Sequence, residues 1–170
     1  ANSVDDEHLQ TDGQGLSASL EAGYPFEVDD DLFVEPQAQI VVSHIELDDA
    51  RDDAADVRFE DVDSLTARLG LRIAKDWFDE DDDGDIHRTI AWIRPSIWHE
   101  FKGQPQTEFS SATGYVPFAA DMRGTTGEIN FGIDHQVDDN TTITFSAGYQ
   151  EGFDDDSSGY EGIIGVKIDF

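Results

Sequence analysis

Period-two alternation over unusually long stretches constrains this chain more than any other feature. Between Ser64 and Asp76, the residues Leu65, Ala67, Leu69, Leu71 and Ile73 alternate with Thr66, Arg68, Gly70 and Arg72. Successive side chains of a strand point to opposite faces, so such a run is a strand with one apolar and one polar face. Six further stretches repeat the pattern: Gly15 to Phe26, Leu32 to about Leu47, Arg88 to Phe101, Gly127 to Val137, Thr141 to Gln150 and Gly159 to Phe170. The segment Lys102 to Thr126 reads as a long loop with room for a small hairpin. No segment has a helical period, and none approaches the ~18–20 apolar residues a membrane helix needs. The spacing predicts seven antiparallel strands in one domain, 1–170, with residues 1–12 as loop or poorly ordered chain. An eighth strand would need a boundary at the N-terminus.

Strand length and the content of the polar face narrow the fold class. Most runs reach ten residues or more, against ~5–6 in ordinary globular sheets. Their polar faces carry small Gly and Ser, together with Glu21, Arg68, Arg72, Arg94, Trp98, Glu100, Glu128 and Lys167. A polar interior inside an apolar exterior is the pattern of a membrane barrel, whose strands span with only ~9–11 residues. Tyr24, Phe26, Phe101, Tyr149, Tyr160 and Phe170 stand near strand ends, where interfacial girdles sit. The expected fold is therefore all-β, an antiparallel transmembrane β-barrel of about seven or eight strands. The alternative is a water-soluble acidic sandwich or barrel that holds a ligand and packs its apolar faces together.

Charge and composition exclude several functions. The formal net charge is −29, from 39 acidic and 10 basic residues. Phosphate backbones and anionic head groups repel such a chain, which sets nucleic acid aside as a partner. The absence of cysteine rules out disulfides and thiolate metal sites, and it suits passage through an oxidising periplasm. The first residue is Ala1, so the chain is expected to begin after a processing cut or as an excised piece. The acid gathers between the strands. With a last strand running inward, the segments Asp29 to Asp31, Asp79 to Asp85 and Asp138 to Asn140 become inner turns, while 48–63, 102–126 and 151–158 become longer outer loops. Short inner turns and long outer loops are the arrangement of a barrel.

Other chemistry finds little footing. Asp79, Asp81, Asp83 and Asp85, with Gly84 for a sharp turn, match the start of a calcium loop. The position of its bidentate Glu is Ile90, so an acidic turn is the expected reading and Ca2+ the weaker one. His8, His44, His87, His99 and His135 are scattered, with no pair at ligand spacing on one face. Ser110, Ser111 and Asp121 share a loop without a His in any motif, and nothing singles out Glu21 and Glu35 as a glycosidase pair. The chain is expected to be no enzyme and to need no cofactor.

Several short runs occur in a telling order: Ser19-Leu20-Glu21-Ala22-Gly23-Tyr24-Pro25-Phe26, Val34-Glu35-Pro36-Gln37-Ala38-Gln39, Asp63-Ser64-Leu65-Thr66-Ala67-Arg68-Leu69-Gly70-Leu71-Arg72, Trp98-His99-Glu100-Phe101 and the terminal Phe170. From Gly13 onward the chain resembles the translocator domain of bacterial autotransporters, the type V secretion system. That family's barrel has twelve strands and a pore helix, and this chain resembles roughly its strands six to twelve. The resemblance implies a bacterial outer-membrane location and a role in exporting and anchoring an N-terminal passenger. It implies that Glu21, Arg68, Arg72, Arg94, Trp98, Glu100, Glu128 and Lys167 line the lumen, facing the passenger's connecting segment. It also implies that Ile164, Val166, Ile168 and Phe170 form the signal read by the barrel-assembly machinery. A small outer-membrane barrel with a structural or binding role is the second reading.

Overall fold

The computed structural model describes residues 11–51, 56–80, 84, 86–154 and 156–169. Its elements are all strands: β1 (Gly13–Gly23), β2 (Phe26–Asp29), β3 (Leu32–Leu47), β4 (Ala50–Arg51), β5 (Asp56–Phe59), β6 (Val62–Glu80), β7 (Ile86–Glu100), β8 (Gln106–Ser111), β9 (Gly114–Ala119), β10 (Gly124–Asp138), β11 (Thr141–Gly152) and β12 (Ser158–Ile168). The larger sheet is antiparallel and runs β1-β3-β6-β7-β10-β11-β12, with β2 also paired to β3. The seven strands on that path are those the alternation predicts.

Two expectations change. The first run does not continue to Phe26. Pro25 lacks an amide hydrogen, and β1 stops at Gly23 before β2 resumes against β3, with Phe26 opposite Val34. The Tyr24 amide still donates to Pro36 O at 3.3 Å across the break. The long connections are also more ordered than loops. A second, four-stranded sheet runs β4-β5-β8-β9, with Val57 opposite Phe109 and Phe109 opposite Val116.

The chain folds into two compact units. The first comprises 1–19, 40–66 and 100–123, and the second 20–39, 67–99 and 124–170. Within the first, the second sheet buries Val57 and Ala50. Phe109 and Phe118 meet edge to face at 5.5 Å, and Arg58 lies over the Tyr115 ring at 3.7 Å.

The second unit shows which face of each long strand is covered. Along β6, Arg68 is 2% exposed while its neighbour Leu69 is 69% exposed. Along β10, Asn130 is 3% exposed and Phe131 is 49% exposed. The apolar face is the bare one, the reverse of a water-soluble sheet. Register carries this across strands: Ile133, Phe145 and Ile164 line up on β10, β11 and β12, as do Ile129, Tyr149 and Tyr160. All six are exposed. On the opposite face Asn130, Gly148 and Glu161 align.

Close approach explains two glycines. A Cβ at Gly132 would lie 2.6 Å from the Trp92 ring, and one at Gly148 would overlap Asn130 Oδ1. Both positions seat a large or polar neighbour against bare backbone, a recurrent use of glycine in strands.

Candidate functional site

A connected polar face runs through the second unit, from β1 to β11. Arg68 is its anchor. Its guanidinium donates to Glu21 Oε1 at 2.8 Å and to Gln39 Oε1 at 3.1 Å, with Gln37 Oε1 at 3.5 Å. A buried guanidinium is tolerable only when its donors find acceptors, preferably charged ones. Its other flank lies over Trp98 at 5.3 Å. The Trp98 indole donates to Glu128, and Glu128 also accepts from Asn130. Even numbering on β6, β7 and β10 puts all of these side chains on one face, as the pleat requires.

A second cluster lies further along the same strands. The Trp92 ring has Arg72 at 5.7 Å and Arg94 at 5.9 Å. Its indole nitrogen donates to Asp134 at 3.3 Å, and Asp134 accepts from Thr144 Oγ1 at 2.7 Å. Arg94 Nε and Ser96 Oγ are buried without a hydrogen-bond partner. Where β6 ends and β7 begins, Arg88 donates to the buried Asp76, its Nε at 3.0 Å.

Two residues of the predicted set stand apart. Glu100 is in the first unit, where its carboxylate accepts from Ser64 and Thr66 hydroxyls and from the amides of Leu65, Lys102 and Gly103. This is a turn clamp at the end of β7. Lys167 is 70% exposed on β12 and pairs with Asp169 at 2.8 Å. Conversely, Trp92, Asn130 and Asp134 belong to the polar face but are absent from the predicted set. For Trp92 the sequence does hold a signal, since extending the even register of Arg94, Ser96 and Trp98 by one step reaches it.

Ile164, Val166 and Ile168 are exposed on one face of β12, and Phe170 lies outside the described residues. Of the calcium-loop positions, Asp81, Asp83 and Asp85 lie outside them too, while Asp79 is exposed in β6. Elsewhere, His44, Glu46 and Asp61 bring potential ligand atoms within 4.8 Å of one another. The His44 ring is already flanked there by Glu46 at 3.2 Å and Asp63 at 2.9 Å.

An all-β chain with bare apolar faces and a buried polar face has the build of a membrane barrel. The family model for the autotransporter β-domain matches residues 2–148. The chain belongs to that family. The autotransporter β-domain is an outer-membrane translocator fold. Among curated relatives, the autotransporter CRAC of Citrobacter rodentium is 24% identical over 92% of this chain and 9% of its own length. The uncharacterized protein YdeU of Escherichia coli is 27% identical over 92% of this chain and 34% of its own length. The probable autotransporter YfaL of Escherichia coli is 26% identical over 91% of this chain and 12% of its own length. The chain thus spans between about a tenth and a third of these relatives.

Proposed function

We propose that this β-domain anchors a passenger in the bacterial outer membrane and serves its export. The observation that carries the reading is the inverted burial of neighbours such as Arg68 and Leu69. Exposed apolar side chains recur at alternate positions of β6, β7, β10 and β11, more than a water-soluble surface carries. Hydrocarbon is the environment that stabilises them. The opposite face, with Glu21, Arg68, Arg72, Arg94, Trp98 and Glu128, then lines a hydrated path for the passenger's connecting segment. Its fixed charges keep a passing chain hydrated. Ile164, Val166 and Ile168 on β12, with Phe170 after them, serve as the assembly signal in this reading.

Depth-dependent bromolipid quenching tests it. A single Trp at Phe131 or Val166, in a background lacking Trp77, Trp92 and Trp98, is expected to be quenched strongly by bromines near the bilayer centre. A folded, monomeric, unquenched protein in buffer would put those faces in a protein interior and end the export reading.

A further inference from the structure

Carboxylates outnumber cationic side chains almost four to one in this chain, 39 against 10, yet two arginines on the polar face meet none. Arg72 and Arg94 lie 5.7 and 5.9 Å from the centre of the Trp92 ring, and among the described residues neither forms an ion pair. The carboxylates of that face are committed elsewhere: Glu21 to Arg68, Glu128 to Trp98 and Asn130, and Asp134 to Trp92 and Thr144. Among the described residues, Arg94 Nε and the Oγ of Ser96, two positions along β7, are buried without a hydrogen-bond partner, and Ser96 itself is 5% exposed. Against Ser96 stands Gly70, where a Cβ would come within 2.8 Å of the hydroxyl, so the residue facing it brings no side chain of its own. A buried guanidinium nitrogen without a partner loses hydration for nothing unless a ligand supplies the acceptor.

We propose that Arg72 and Arg94, both held beside Trp92, form a receptor for a carboxylate carried by a polypeptide segment running along this face. A guanidinium stacked beside an indole keeps its in-plane N–H donors free for a planar, two-oxygen acceptor. Ser96 adds a hydroxyl that donates to the same group. The segment is the chain's own connection to its passenger, so the inference rests on the export reading. A connection with this chain's composition carries an acidic residue about every four to five positions, from 39 in 170.

The test uses the full chain in detergent micelles and fluorescence anisotropy of a labelled peptide of alternating Glu and Ser, its Gln counterpart, and inorganic phosphate as competitor. The Glu peptide is expected to bind at least about tenfold more tightly than the Gln peptide, the ratio that one charge-assisted contact supplies. R72Q/R94Q should erase the preference, while R123Q, on a connection far along the chain, should keep it. Heat-modifiable electrophoretic mobility reports folding, and if the double variant does not fold, R94Q and R94K are read in its place. Equal binding of both peptides, no binding, or a preference that survives the arginine changes would overturn the receptor. Phosphate displacing the Glu peptide at equal concentration would overturn the polypeptide as its ligand. Each of these outcomes is compatible with strong lipid quenching at Phe131, so failure here is distinguishable from failure of the export reading.

Discussion

Arg68 on β6 and Glu21 on β1 are joined at 2.8 Å although a whole strand, β3, lies between theirs in the sheet. The arginine side chain reaches over β3 to Gln37 and Gln39, which accept two more of its donors. One buried cation thereby ties three consecutive strands together, and it does so on the face that the apolar side chains leave.

Removing one member of this pair is expected to cost more than replacing both. Glu21→Ala leaves the Arg68 charge buried with only amide partners, and should lower stability by about 2 kcal/mol, the range for hydrogen bonds to charged groups. A double change, Glu21→Leu with Arg68→Met, should recover most of that loss. Urea titration of the reconstituted protein, followed by heat-modifiable mobility, measures both. An equal loss in the double variant would mean that the interaction does more than neutralise a buried charge.

Gly132 and Gly148 should resist even one added carbon. Alanine at Gly132 would place its Cβ 2.6 Å from Trp92, and at Gly148 it would overlap Asn130 Oδ1. Overpacking of this kind costs about 1–3 kcal/mol. Gly162 is the control, since its nearest neighbour would be Ser146 O at 4.0 Å. Gly162→Ala should unfold at the same denaturant concentration as the parent, and Gly132→Ala at a clearly lower one.

Charge on the apolar face should be depth-sensitive. Phe131 and Ile133 lie on the bare face of β10, and a midplane arginine in a lipid-facing strand costs about 2–4 kcal/mol. Phe131→Arg should therefore reduce folding yield in vesicles far more than Glu151→Arg near the end of β11. Similar yields for the two variants would argue that Phe131 does not face hydrocarbon.

A pH effect is expected on the connection between β9 and β10. The Arg123 side chain donates to Asp121, and with help from the Arg123 amide holds that carboxyl at about 2, below its ordinary 3.8. A depressed folded pKa contributes stability that is fully present above the unfolded value and is lost as pH falls through about 2. The groups are half exposed, so the effect is best read by titrating the Asp121 carboxyl by NMR. Its midpoint should return toward 3.8 in R123Q.

The second sheet shows what local pattern cannot convey. β4 and β5 are short, set in an acidic stretch, and β5 finds β8 some fifty residues later, with Val57 opposite Phe109. Alternation over two to four residues is no signal, and only the partner strand gives such pieces order. β8 and β9 are legible as a hairpin because Gly114, at φ 129°, sits in a tight turn between β-prone runs. Pro25 is plain in the sequence, but its power to interrupt depends on whether the neighbouring strand needs that amide.

Alternation along the chain was enough to establish the strand class, the seven long strands and which side chains share a face, because a pleated backbone turns every second residue the same way whatever its neighbours. It also established that the two faces differ in kind. Which charges meet emerged only once the strands lay side by side: Arg68 takes Glu21 two strands away, Glu100 clamps a turn, and Arg72 and Arg94 share Trp92 and, among the described residues, no carboxylate. Those pairings depend on strand order and register, which arise between residues far apart in the chain and leave no period within any one segment.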